Sequence, residues 1–420
     1  MFPKVKGVAD NFFDMPYWSG VIKKIEAHLQ CYNFSQINIP ILEHVSLFER
    51  GLGYETDVVS KQMFIMQSKN ADPDQKNDAI CLRPEGTAGT MRAFLENQSN
   101  ITLPARVYCY GPMFRYERPQ KGRMREFHQF NLEMLGGESI LYDAQNIKML
   151  QTLFAQTLNV QNFILKINFL GQSDDRKKFS AAFVAFLEQK KESLCDVCKT
   201  RLHTNPLRIL DCKSTECQTI FAGAPKLSDF FSDATAQEWK TLQETLQELS
   251  VNFEIDHNLV RGLDYYNKTV FEFVSVNLGA QNTFCGGGRY DGLAQQLGSK
   301  TEIPAFGCAI GLERLMMILQ SQQQNLAIPA PTLTCIIPLS QAQNKLALHL
   351  ADYLTLHKKT VELLLDDAKI KNKMKKTNDL KATWALLLGD DEQKNNTVTI
   401  KNMITGTQEI VSAKNIVLKI

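Results

Sequence analysis

Residues 106–135 read RVYCYGPMFRYERPQKGRMREFHQFNLEML, and the fold turns on them. Two runs rich in apolar residues flank a polar centre, ERPQKGRM (117–124), which carries Pro119 and Gly122. That pattern predicts strand, loop, strand. In a strand, residues two apart share a face. On the return strand, Phe127, Gln129, Asn131 and Glu133 fall on one face. His128, Phe130, Leu132 and Met134 fall on the other. The outgoing strand ends in Arg115 and Glu117, again two apart. A face carrying Arg, Glu, Gln and Glu is either solvated or the floor of a polar binding site. The loop holds Arg118, Lys121 and Arg123, with Arg125 just beyond. A basic tip above deeper carboxylates suits a negatively charged ligand entering from the tip, which favours the floor.

Upstream, YWSGVIKKIEAHLQCYNF (17–34) has a helical pattern. INIPILEH (37–44) is extended, and Pro40 places it at an edge or an interface. QMFIM and AICLRP are two short strand-like runs, and the polar residues 67–79 between them predict a hairpin loop. Downstream, a helix near 142–158 precedes a strand, FILKINFLG. Residues 171–250 are lysine-rich and mostly helical, which marks an insertion. Residues 251–320 return to strands and glycine-rich turns. Residues 321–332, SQQQNLAIPAPT, form a linker by composition. From 333 to 420, strands alternate with helices, one of them basic (369–378), predicting a small α/β domain.

At about 150 residues per domain, 420 residues make roughly 2.8 domains. The sum of 47 basic and 45 acidic residues gives a formal net charge of +2. That excludes a protein coated in positive charge but not a local basic patch for nucleic acid. No stretch approaches the roughly 20 apolar residues of a membrane helix. The start, MFPKVKGVADNFFDM, has no apolar signal core. The ten cysteines are then expected to be reduced thiols in the cytoplasm.

Four further segments carry chemistry-bearing residues. In CLRPEGTAGTMRAFL (81–95) a strand ends at Arg83-Pro84 and a helix starts near Thr87. Glu85 sits in the tight loop between, and simple capping by Thr87 is the bland alternative. In LVRGLDYYNKTVFEF (259–273), Arg261, Gly262 and Asp264 interrupt the strand pattern; the bland alternative is a turn with an exposed arginine. In CGGGRYDGL (285–293) the glycines allow close backbone approach to a ligand, or form a mobile loop. In AFGCAIGLERLMMIL (305–319) a strand containing Gly307 runs into a helix whose first turn carries Arg314. No phosphate-binding P-loop, dinucleotide fingerprint or H-E-x-x-H zinc helix occurs.

Together these segments resemble one family. FRYERPQKGRMREFHQF (114–130) looks like motif 2 of the class II aminoacyl-tRNA synthetases. GCAIGLERL (307–315) looks like motif 3, and INIPILEH like motif 1. LVRGLDYY and GGGRYDGL resemble the two signatures of the histidyl-tRNA synthetases, and RPEGTAG (83–89) and RGLGYETDVVSKQMF (50–64) match the same family. Ala9, Tyr54 and Asn131 depart from its common choices. The resemblance implies an α+β catalytic domain with an antiparallel sheet (1–320), interrupted by the helical insertion, and a C-terminal α/β anticodon-binding domain (333–420). It also implies a homodimer joined through the motif 1 region. The activity implied is activation of L-histidine by ATP with Mg²⁺, then transfer to the 3′ end of tRNA(His). The substrate carboxylate attacks the α-phosphorus, so catalysis is positioning plus charge stabilisation.

Residue by residue, Arg115 resembles the α-phosphate ligand and Arg314 the γ-phosphate ligand. Phe127 resembles the residue that stacks on adenine, and Glu117 the residue at its edge. Arg261 occupies the family's distinctive catalytic arginine position. The resemblance gives Glu85 and Thr87 to the amino group of histidine, with Gln129 nearby. It gives Glu133 and Tyr266 to the imidazole nitrogens, with Tyr265 and Tyr290 lining the pocket. Neutral imidazole offers one donor and one acceptor, which a carboxylate and a phenol can bracket. Arg118, Gln120, Lys121 and Arg123 would meet the tRNA acceptor stem, and the helix near Lys369–Lys376 would belong to the anticodon-binding domain.

Two matters stay open. Cys195-x2-Cys198 and Cys212-x4-Cys217 have spacing that admits a structural zinc, but x4 is not the usual tight knuckle, and free thiols are the favoured reading. A catalytically silent regulatory paralogue and a class II ligase for another amino acid are the rival functions. Retention of Arg261 and of residues 330–420 argues against the first; LVRGLDYY and Glu133 argue against the second.

Overall fold

The computed structural model describes residues 2–11, 13–66, 79–279 and 282–420. The predicted loop at 67–79 lies outside them except for Ala79. The chain divides into two compact units, 1–327 and 328–420.

An eight-stranded sheet organises the first unit. In chain order its strands are β1 (Ser35–Gln36), β2 (Ala105–Phe114), β3 (Glu126–Leu135), β4 (Phe163–Phe169), β5 (Glu254–Ile255), β6 (Thr269–Ser275), β7 (Thr283–Arg289) and β8 (Ala305–Gly311). Across the sheet they run β1-β2-β3-β8-β7-β6-β4-β5. The six central strands are antiparallel; the two-residue outer strands pair in parallel. The hairpin β2–β3 is the pair expected from residues 106–135, with Ala105 opposite Leu135 and Phe114 opposite Glu126.

The alternation on β3 decides what lies on each side of the sheet. Phe130, Leu132, Phe271, Phe273, Phe306 and Ile310 enter a core that the helices Met15–Cys31, Leu141–Thr152 and Leu312–Ser321 cover. Fully burying such a side chain stabilises by about 1.5–3 kcal/mol. The opposite face carries Glu133 and Asn131, each only 1% exposed. It is therefore a buried polar floor, not a solvated surface. The stretch 171–250 is helical as expected, but it is not one body. Its last helix, Asp233–Glu248, sends Trp239, Leu242 and Leu246 into the core of the large sheet.

A small sheet pairs Leu42–His44 and Phe64–Met66 with either side of Ile80–Leu82. This is the hairpin read from QMFIM and AICLRP, with the end of the Pro40 segment on an edge. In the second unit, Thr360–Leu363, Leu333–Pro338 and Trp384–Leu388 are parallel neighbours. Thr397–Asn402 and Gln408–Ser412 extend that sheet antiparallel. Parallel neighbours need crossovers, and the helices Asn344–Leu356 and Ile370–Asp379 supply them. The basic helix divides its lysines: Lys371 and Lys375 are exposed, while Lys373 is buried and donates to the Pro338 carbonyl at 2.8 Å.

Candidate active site

Strand register builds the site. On the polar side, Asn131, Ala309, Gly286 and Glu272 align across β3, β8, β7 and β6. The next row is Glu133, Gly307, Gly288 and Val270. Glycines in the middle strands lower the floor between polar flanks. At Gly307 a Cβ would overlap the Glu133 carboxylate, and at Gly286 it would come within 2.6 Å of the Arg261 guanidinium. The glycine run is thus not a mobile loop. It is strand, and its missing side chains make room for two charged ones. Arg289, at its end, is 1% exposed and paired with buried Asp143 and with Asp291, so its role is structural.

One end of the basin is acidic and aromatic. Glu133 accepts from Thr87 Oγ1 at 2.7 Å and from the Tyr290 hydroxyl. Burial pushes its carboxyl up to about 8; the two hydroxyls oppose that rise and Glu85 adds to it. Tyr265, Tyr266 and Tyr290 are buried around it, with ring centroids 4.5 Å (265–266), 5.4 Å (265–290) and 6.4 Å (266–290) apart. Burial pushes the Tyr266 hydroxyl up to about 12, so it stays a neutral donor and acceptor.

Glu85 lies at the start of the helix Thr87–Asn97, whose N-cap position is Gly86. Its two oxygens accept from the backbone N–H groups of Thr87 and Ala88, each at 2.8 Å. Capping therefore comes from Glu85, and the alternative of simple capping by Thr87 fails. Thr87 is the first helical residue, and its hydroxyl is free to reach Glu133. Burial raises the Glu85 carboxyl, while these N–H bonds and Arg115 hold it back. Gln129 Oε1 and both amide atoms of Asn131 are buried without a hydrogen-bond partner among the described residues. Such orphaned groups cost about 1–3 kcal/mol each, and they mark a surface shaped for a polar ligand.

The other end is basic. Arg115 donates to the Pro84 carbonyl at 2.9 Å, and its guanidinium lies 5.2 Å from the Phe127 ring centroid. Arg314 donates to the carbonyls of Gly122 at 2.8 Å and Thr283 at 2.6 Å, joining the motif 2 loop to β7. Arg261 pairs with Glu272, whose other oxygen accepts from Thr283 at 2.7 Å. The Arg261 side chain is only 19% exposed, so the exposed-turn alternative fails. Burial lowers the pKa of Arg314, and nearby Arg115, Arg123 and Arg261 lower it further. Four guanidiniums within electrostatic reach of one another make a site for a polyanion.

The motif 2 loop closes over this end. Glu117 is buried and paired with Arg123. Gln120 and Arg123 exchange backbone bonds of 3.0 and 2.9 Å around Gly122, whose φ of +72° suits glycine. Arg118, Gln120 and Lys121 are exposed, and Arg118 and Gln120 line a cavity of about 500 Å³ together with Arg123, Lys61 and Tyr116. The four insertion cysteines also converge, with their Sγ atoms within 4.8 Å of one another.

A family model described as histidyl-tRNA synthetase matches residues 18–315, and one for an anticodon-binding domain matches residues 334–420. The chain belongs to the histidyl-tRNA synthetase family. Among this synthetase's relatives, the histidine–tRNA ligase of Aquifex aeolicus is 40% identical over 91% of each chain. That of Clostridioides difficile is 36% identical over 95% of this chain and 94% of the relative. The crystal structure of apo histidyl-tRNA synthetase from S. aureus superposes with a TM-score of 0.82 at 30% identity, covering 100% of this chain and 99% of that one.

Several residues of this synthetase's site escaped the sequence reading. Glu272 was legible in principle, as the lone charge in the apolar strand TVFEFVS. Arg83 ties the motif 1 segment to β2 through the carbonyls of Ile39 (2.7 Å) and Pro112 (2.9 Å). Glu313 accepts from the His128 backbone N–H and faces its ring at 3.0 Å, locking motif 3 to motif 2. Arg208 and Asp264 pair at 3.0 Å across 56 residues, a contact that no local pattern announces.

Proposed function

We propose that the two ends of this basin hold the two small substrates of the family's reaction. That reaction joins histidine and ATP to give histidyl-adenylate and pyrophosphate, then passes histidine to the 3′ end of tRNA(His). The observation that carries the assignment is the pairing of a Glu133–tyrosine pocket with a four-arginine cluster across a glycine-cleared floor.

At the acidic end, Glu133 and Tyr266 bracket the imidazole, and Tyr265 and Tyr290 enclose it. Glu85, with lone pairs to spare after its two backbone bonds, accepts from the substrate ammonium. Thr87 and Gln129 stand beside it. A site whose buried polar groups need partners rejects isosteres lacking them by as much as about 10⁴-fold.

At the basic end, Phe127 stacks on adenine, with Glu117 at its edge. Arg115 and Arg261 hold the α-phosphate from opposite sides, and Arg314 holds the γ-phosphate. The attacking carboxylate and the phosphate are both anions. The arginines offset that repulsion and the charge developing on the phosphoryl oxygens. Mg²⁺ accompanies ATP as a hard cation and supplies further charge neutralisation when bound. Glu272 and Thr283, side by side at the arginine cluster, would offer it hard oxygen ligands, with Arg261 and the Thr283 proton turning aside from Glu272.

The exposed Arg118, Gln120 and Lys121, with Arg123, meet the acceptor stem. Residues 333–420 contact the anticodon. The exposed apolar side chains Leu42, Met66 and Ile80 share one face of the small sheet, which suits a homodimer through the motif 1 region. The enzyme works in the cytoplasm, where translation consumes its product. Histidine-dependent ATP–pyrophosphate exchange tests the assignment. Exchange that histidine stimulates supports it; folded protein with Mg²⁺ that shows none overturns it.

A further inference from the structure

The insertion contributes Cys195, Cys198, Cys212 and Cys217 from three separate segments. All four are free thiols by geometry, and three are buried. Their Sγ atoms lie within 4.8 Å of one another, and Cys195 and Cys212 are 3.8 Å apart. Tetrahedral zinc with four Zn–S bonds of about 2.3 Å requires sulfur–sulfur distances of about 3.8 Å. Backbone groups already point at the sulfurs: the N–H of Cys195 donates to Cys217 Sγ and that of Ser214 to Cys212 Sγ, each at 3.4 Å. Such donors stabilise thiolates in a metal's outer shell.

The unusual x4 spacing has a structural cause. Ser214 caps the helix Thr215–Phe221, its hydroxyl accepting from the Cys217 N–H at 3.5 Å. The extra residues therefore start a helix whose first turn brings Cys217 back to the cluster.

The cluster also closes a loop with a purpose. Between Cys198 and Cys212 stands Arg208, whose side chain is 11% exposed. It donates to the Gly262 carbonyl at 2.6 Å and to Asp264 Oδ1 at 3.0 Å. Asn205, from the same loop, reaches Asp264 Oδ1 at 3.2 Å. Gly262 and Asp264 lie between Arg261 and Tyr265, so the loop grips the turn that presents both residues to the basin.

We propose that Cys195, Cys198, Cys212 and Cys217 bind a structural zinc ion, and that this metal holds Arg208 as a positioning residue for the Arg261 turn. The metal site stands on its own geometry; the link to catalysis rests on the role proposed for Arg261. The four thiols become thiolates on binding and release their protons to solvent; no redox change is involved.

The test uses full-length, untagged protein purified without chelator. Elemental analysis should find about one zinc per chain. X-ray absorption should show four sulfurs at about 2.3 Å. Cys212→Ser should lose the metal. Should that variant fail to fold, the wild-type metal count and absorption spectrum decide the site alone. Four titratable thiols with no metal, or a Cys195–Cys212 disulfide, overturn the zinc site. For the link, Arg208→Ala should keep its zinc and lower the kcat of histidine-dependent exchange about 10- to 100-fold, with little change in histidine KM. Arg208→Lys should recover part of the loss. An Arg208→Ala kcat within twofold of wild type overturns the positioning role. Wild-type protein that holds zinc but shows no exchange would instead count against the reading of the basin.

Discussion

Glu133 offers a quantitative test of the histidine pocket. Its carboxyl is pushed up to about 8 by burial. If only the carboxylate accepts the imidazole N–H, the free enzyme at pH 7 has roughly one competent site in eleven, and at pH 9 roughly ten in eleven. The difference is about tenfold in apparent affinity, or about 1.4 kcal/mol. The sign is set by the direction of the shift. A raised carboxyl pKa keeps the proton on the free pocket below pH 8, so histidine must displace it there, and the cost disappears above. Glu133→Gln removes both the charge and the titration. A hydrogen bond to a charged group contributes about 1.5–3 kcal/mol, so at pH 9 the histidine KM of the variant should exceed that of wild type by about 10- to 150-fold. At pH 7 the ratio of the two KM values should be about tenfold smaller. The assay is ATP–pyrophosphate exchange with histidine varied, run on both proteins across pH 7–9. Both see the same substrate, so the titrations of histidine itself cancel in the ratio. A ratio that stays constant across that range refutes the reasoning, whatever its size.

Arg261→Ala should lower the kcat of exchange by about 10²-fold or more while moving histidine KM far less, since its charge acts on the phosphoryl group; equal losses in both would show that Arg261 only shapes the pocket. Gly307→Ala should raise histidine KM and lower the urea midpoint, because its Cβ would overlap the Glu133 carboxylate. Overpacking of this kind costs about 1–3 kcal/mol, and an unchanged midpoint would mean the strands part more easily than their register implies. Asp143→Ala leaves Arg289 buried without its main partner, and urea unfolding should register a loss of about 3–5 kcal/mol. Replacing Arg118 and Lys121 together with Ala should raise the KM for tRNA and flatten its salt dependence, as expected when backbone contacts are lost. An unchanged salt slope would remove these residues from the acceptor-stem interface.

The charge sum shows how a sequence total conceals its placement. A net charge of +2 is compatible with the four-arginine end and the carboxylate end because they sit on one sheet face. Local patterning was nonetheless informative. The two-residue period on 127–134 separated a polar from an apolar face before any partner strand was known. The strand–helix alternation after 333 specified a small α/β domain. The motif segments supplied every residue placed in the basin's two substrate ends except Asn131, Glu133, Glu272 and Thr283.

What the sequence determined by itself is what depends on neighbours along the chain: element types, the face each side chain takes, and the turns where glycine and proline sit. Tertiary structure alone decided whether a polar face was wet or buried, because that depends on what packs against it. It showed the glycines of β7 and β8 to be clearance for Glu133 and Arg261, since clearance is a distance between strands. It assigned helix capping to Glu85 and not to Thr87, because a buried carboxylate takes two backbone donors more strongly than a hydroxyl takes one. It also brought four cysteines to one point, which their spacing allowed but did not require, and Arg208 to Asp264, a contact that no spacing along the chain announces.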